Sequence, residues 1–98
     1  MRFTPRFSAE AQQDVDEAKE YLEDRQEGLA ESFAADLATR IDEISQNPYL
    51  CQERYRRYRM AVTRRFHYKV FYGIIENRID IVAVWHSKRD PTSWISRV

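Results

Sequence analysis

The spacing of apolar residues changes once along this chain, and that change limits what it can fold into. Between residues 11 and 44 they recur every three or four positions: Ala11, Val15, Ala18 and Leu22, then Leu29, Phe33, Leu37, Ile41 and Ile44. From Tyr58 onward they alternate, as Tyr58, Met60 and Val62 do with Arg57, Arg59 and Ala61. The first spacing places one buried stripe on a helix, and the second places one buried face on a strand. Helices followed by strands joined through short turns predict an α+β fold, an α-helical hairpin packed on an antiparallel β-sheet.

Local signals set the boundaries. Arg2 to Phe7 is short and extended, and Pro5 marks it as an edge strand. Ser8 is an N-cap, with Glu10 and Asp14 placed where the helix dipole favours negative charge, so a first helix runs over 9–25. Gly28 sits in the break, and Leu29 opens a second helix over 29–47 that Asn47-Pro48 stops. Ala30, Ala34 and Ala38 permit close approach to a neighbour, and the acidic outer face of the pair is most simply a solvated surface. After an Arg- and Tyr-rich loop come strands over 57–62, 66–75 and 79–86, the last two joined at Glu76-Asn77, where Asn tolerates a left-handed backbone. Beyond them Asp90 is placed to cap a short C-terminal helix, with Trp94 folding back as a packing anchor.

A two-residue turn at Glu76-Asn77 sets Ile75 opposite Arg78, Tyr72 opposite Ile81 and Val70 opposite Ala83. One face then carries Tyr68, Val70, Tyr72, Ile74, Ile79, Ile81, Ala83 and Trp85 without a charge, and belongs against the helices. The other carries His67, Lys69, Phe71, Gly73, Arg78, Asp80, Val82, Val84 and His86, and stays at least partly open. The preceding strand joins with Tyr58, Met60 and Val62 on the helix side if its connection has an odd count, residues 63–65. An even count would turn Arg57 and Arg59 toward the helices, a costly place for unpaired charge. The expected free face therefore gathers Arg57, Arg59, His67, Lys69 and His86 beside apolar Phe71 and Val84, a surface suited to phosphates or to a partner's carboxylates. The plainer alternative is that Arg59 pairs with Asp80 or Glu53 and that the histidines are structural.

Ninety-eight residues make one domain, 1–98, with a modest core. The formal charge is zero, but its distribution is not even. Residues 1–50 hold five Lys/Arg against twelve Asp/Glu, a net −7, and residues 51–98 hold eleven against four, a net +7. This split suggests an anionic partner for the second half, or mutual attraction of the halves. Cys51 is the only cysteine, which favours a reducing compartment. No signal peptide is visible, and the apolar run Val70 to Ile75 is too short to cross a bilayer, so a cytoplasmic protein without membrane contact is expected. No phosphate-binding glycine loop, nucleophile elbow or metal-ligand repeat occurs, so neither a metal nor another cofactor is expected.

The element order resembles the RelE/ParE toxin superfamily, and its ParE-type, plasmid-stabilisation branch most of all. The residues that carry the likeness are Asn47-Pro48, Tyr58-Arg59, Arg65 to Tyr72, and Ile81 to Pro91 with the ending His86-Ser87-Lys88-Arg89-Asp90-Pro91. The resemblance implies the toxin of a bacterial type II toxin–antitoxin pair, neutralised by a small antitoxin and blocking DNA gyrase by binding. The RelE-type alternative is a ribosome-dependent mRNA endoribonuclease, in which Arg59 and Lys69 would hold the scissile phosphate and His86 would act as acid or base. On either branch Arg57, Arg59, His67, Lys69, Phe71 and Arg89 are the expected partner-binding residues. A homodimer is left open.

Overall fold

The computed structural model describes residues 2–86 and 93–98. Strand β1 (Thr4–Phe7) leads into helices α1 (Ala9–Arg25) and α2 (Leu29–Gln46), a single 3-10 turn (Pro48–Leu50), strands β2 (Glu53–Tyr55), β3 (Tyr58–Val62), β4 (Tyr68–Ile75) and β5 (Arg78–His86), and a second 3-10 turn (Ser93–Arg97). The sheet order is β1-β5-β4-β3-β2. Strands β3 to β5 pair antiparallel as expected, β2 adds antiparallel to β3, and β1 adds to β5 in parallel, making the sheet mixed. Strand β2 falls in the stretch read from sequence as a loop. No helix is long and apolar enough to cross a membrane.

Both helices follow from local chemistry. The Ser8 hydroxyl accepts the Ala11 N–H at 3.0 Å, satisfying one of the orphan donors of α1. Between the helices Gly28 takes φ 92°, a left-handed backbone that favours glycine. The Glu23 carboxylate closes the same turn by accepting from the N–H groups of Gly28 and Ala30, and these bonds hold its pKa below the ordinary value. After Gln46 the chain turns at Asn47, and Pro48 opens the 3-10 turn.

The helices cover one face of the sheet. Ala11, Val15, Ala18 and Leu22 of α1 and Phe33, Leu37, Ile41 and Ile44 of α2 pack on Tyr68, Val70, Tyr72, Ile79, Ile81 and Val84. The hairpin turn at Glu76-Asn77 forms as expected, although the left-handed residue is Glu76 (φ 55°) rather than Asn77. From Ile75 opposite Arg78 to Tyr72 opposite Ile81 the register is the expected one. It then shifts. Phe71 lies opposite Ala83 and Val70 opposite Val84, so Val82 is an inserted bulge residue on β5. The insertion reverses the faces of everything after it. Ala83 and Trp85 move away from the helices, and Val84 moves in against them.

Strand β3 also departs from the expected register. Met60 lies opposite Phe71, Ala61 opposite Val70 and Arg59 opposite Tyr72. Tyr58, Met60 and Val62 are therefore on the face away from the helices, and Arg59 is on the helix side. The connection is even because Thr63 still belongs to the ladder, its N–H reaching the Tyr68 carbonyl at 2.9 Å, which leaves four residues, 64–67, as the turn. That turn is held from α2. The buried Asp36 carboxylate accepts the N–H groups of Arg65 (3.1 Å) and Phe66 (2.9 Å), the Thr63 hydroxyl accepts the Tyr68 N–H, and His67 takes φ 57°.

Candidate functional site

The sheet face opposite the helices carries a second, smaller core. Phe71, Ala83, Trp85 and Trp94 are buried there, with Tyr55, Tyr58, Met60, Val82 and Ile95 packed around them. Trp94 is the anchor that the sequence suggested. It is 2% exposed, stacks on Phe71 at a ring distance of 4.6 Å, and meets the edges of Tyr55 and Tyr58 at 5.7 Å each. Gly73 helps to make room, because a Cβ there would lie 2.9 Å from Tyr58 Cε1. The face is thus partly covered by the chain's own C-terminal turn, and Phe71 is 3% exposed rather than free for a partner.

A buried ion pair holds that turn down. Arg97 donates to both carboxylate oxygens of Asp14 at 2.7 and 3.0 Å, and also to the Val82 carbonyl at 3.0 Å. Asp14 accepts in addition the Val84 N–H at 3.0 Å, and the guanidinium lies 5.2 Å from the Trp85 ring centroid. One carboxylate therefore joins α1, the bulge in β5 and the C-terminus. The hydrogen bonds that Arg97 donates to Asp14 raise the Arg97 pKa, against the opposing effect of burial. Asp14 was read from sequence only as a helix-dipole residue. Its place on the buried stripe, three residues after Ala11 and four before Ala18, was the available signal.

The expected cationic face is not assembled. Arg59 turns to the helix side, where Nη1 donates to the Cys51 carbonyl at 2.6 Å and the guanidinium lies 5.3 Å from the Tyr49 ring centroid. Its Nε is buried and finds no hydrogen-bond partner. Tyr72 borders the same corner, donating to the Pro48 carbonyl at 2.8 Å, and burial followed by its contact with Cys51 raises its phenol well above the ordinary range. Arg57 is exposed in the two-residue turn between β2 and β3, with its guanidinium 5.7 Å from the Tyr58 ring centroid. His67 is exposed in the 64–67 turn. His86 pairs opposite Tyr68 on the helix-side face, the two rings edge to face at 5.3 Å. Arg89, together with the expected Asp90 cap, lies outside the described residues. Lys69 keeps the expected face, although the bulge sets it opposite Trp85 and not Val84. Arg54, not singled out beforehand, joins it around a cavity of about 430 Å³ lined also by Tyr55, Met60, Phe71, Trp94 and Ile95.

This arrangement can bind, through two cations over an aromatic floor, and neither histidine is among the residues that line it. The comparisons with known proteins agree with a fold of this kind. Residues 6–91 match the family model described as the ParE toxin of the type II toxin–antitoxin system parDE. The chain belongs to the ParE toxin family. Among solved structures, this ParE-family chain is similar to one described as the chromosomal ParDE toxin–antitoxin system of P. aeruginosa. The TM-score there is 0.76 at 11% identity, over 87% of this chain and 96% of that one. It is also similar to a chain of the RelBE2 toxin–antitoxin complex from Mycobacterium tuberculosis. That match has a TM-score of 0.60 at 20% identity, over 88% and 99%. Identities this low establish a shared fold. No curated protein matches the sequence.

Proposed function

We propose that this ParE-family toxin arrests growth by binding DNA gyrase in the cytoplasm, and that a small cognate antitoxin neutralises it. The gyrase target rests on the family and on the ParE-type ending of the sequence. The choice of binding over catalysis rests on one observation, the separation of Arg59, Lys69 and His86. Phosphodiester cleavage needs a charge-stabilising group and an acid–base group within hydrogen-bond reach of one phosphate. Here Arg59 is committed to a backbone carbonyl on the helix side, Lys69 faces the opposite way, and His86 sits on the helix-side face at the end of β5. A binder has no such requirement, and an antitoxin that covers its cationic surface would stabilise it by mass action. Induced expression of His86→Gln and Lys69→Gln variants tests the choice. Both are expected to stay toxic without mRNA cleavage, and loss of toxicity in a folded His86→Gln protein would contradict it.

A further inference from the structure

Eight of the thirteen arginines divide by whether a carboxylate meets them. Arg2, Arg40, Arg64, Arg78 and Arg97 each sit against a carboxylate. Arg54, Arg56 and Arg57 are exposed and have no carboxylate partner among the described residues, although they lie within four positions of one another in β2 and the turn that follows. Two of them are steadied by rings, Arg56 at 5.1 Å from the Tyr55 centroid and Arg57 at 5.7 Å from that of Tyr58. Among the described residues strand β2 ends the sheet, with β3 on one side and no strand on the other. Tyr49 and Leu50, which lead into it, are 60% and 76% exposed, more than any other large apolar side chain among the described residues. The opposite edge is unlike this one, because Pro5 removes a backbone donor from β1.

An unpaired edge, exposed apolar residues at its start and three unpaired cations along it are complementary to one kind of ligand. We propose that the β2 edge is the docking site for an extended acidic segment of the antitoxin. The segment adds as a sixth strand, seats an apolar side chain on Tyr49 and Leu50, and sets carboxylates against Arg54, Arg56 and Arg57. The proposal deepens the toxin–antitoxin reading above and rests on it. A polypeptide fits better than nucleic acid, since only a strand uses the edge hydrogen bonds and Glu53 stands among the arginines.

The test uses the full-length toxin and the small protein encoded beside it, with affinity measured by calorimetry and amide exchange followed in the toxin. Arg54→Glu plus Arg57→Glu is expected to weaken the complex at least about tenfold while leaving the melting temperature of the free toxin unchanged. Leu50→Ser is expected to weaken it less, and amides 53–55 should slow in the wild-type complex. Unchanged affinity in both variants, or slowed exchange confined to β1 and the helices, overturns the docking site but leaves the toxin–antitoxin reading standing. A wild-type toxin that binds no such partner overturns both. If a 20-bp DNA duplex binds the wild type and is lost in the charge variant while antitoxin affinity holds, the edge is a phosphate surface and the proposal fails.

Discussion

Asp14 and Arg97 show how much one side-chain pair carries in a small fold. Their side chains are 5% and 15% exposed, and the two residues close a contact across 83 positions of chain. Removing Asp14 leaves the Arg97 charge without its partner and the Val84 N–H unsatisfied. Asp14→Ala is therefore expected to destabilise the protein by about 3–5 kcal/mol, whereas Asp14→Leu with Arg97→Met recovers part of that loss, since it removes the buried charge but leaves the Val84 N–H and Val82 carbonyl unpaired. Urea unfolding of the wild type, Asp14→Ala and the double variant measures both. Tyr72 gives a pH dependence of definite sign. Its folded pKa is raised by burial, so its contribution is whole below the unfolded value of about 10 and is lost as the unfolded chain releases its proton above that pH. Denaturation midpoints should fall between pH 9 and 11 in the wild type and fall less in Tyr72→Phe. An equal fall in both proteins would remove Tyr72 as the cause.

At the scale of elements, what was legible was local. The helices follow from spacing, the Ser8 cap and the Asn47-Pro48 stop, all of which act within a turn of the residues they control. The register of the sheet does not, because two of its determinants come from far along the chain. The bulge at Val82 is held by Asp14 and Arg97, and the β3–β4 turn is held by Asp36, so counting residues from a turn without inserting one gives the wrong faces. The site was misread for the same reason. Arg59 tolerates the helix side because a backbone carbonyl receives it, and backbone partners leave no mark in a sequence. Trp94, by contrast, was legible as an anchor since a large aromatic ring near a chain end needs something to cover. Asp36→Ala should cost about 2–3 kcal/mol and speed exchange of the Arg65 and Phe66 amides before those of β5. Unchanged exchange at those two amides would show that the turn holds itself.

At the scale of the whole molecule the charge split has two uses. Part of it is internal, as Arg64 of the second half pairs with Glu43 of the first at 2.9 Å, and Arg97 with Asp14. Another part is the basic corner around β2, where Arg54, Arg56 and Arg57 have no carboxylate partner among the described residues. A molecule with its cations spread over separate faces is suited to contacting proteins at more than one surface, and this is why binding is the central claim. Gyrase supercoiling assayed with the purified toxin, alongside mRNA cleavage on translating ribosomes, tests it most directly. The account predicts that supercoiling stops as toxin is added in modest excess over gyrase, that antitoxin restores it, and that the mRNA stays intact. Full supercoiling at a large molar excess of toxin, with mRNA cleaved in the parallel reaction, would contradict it.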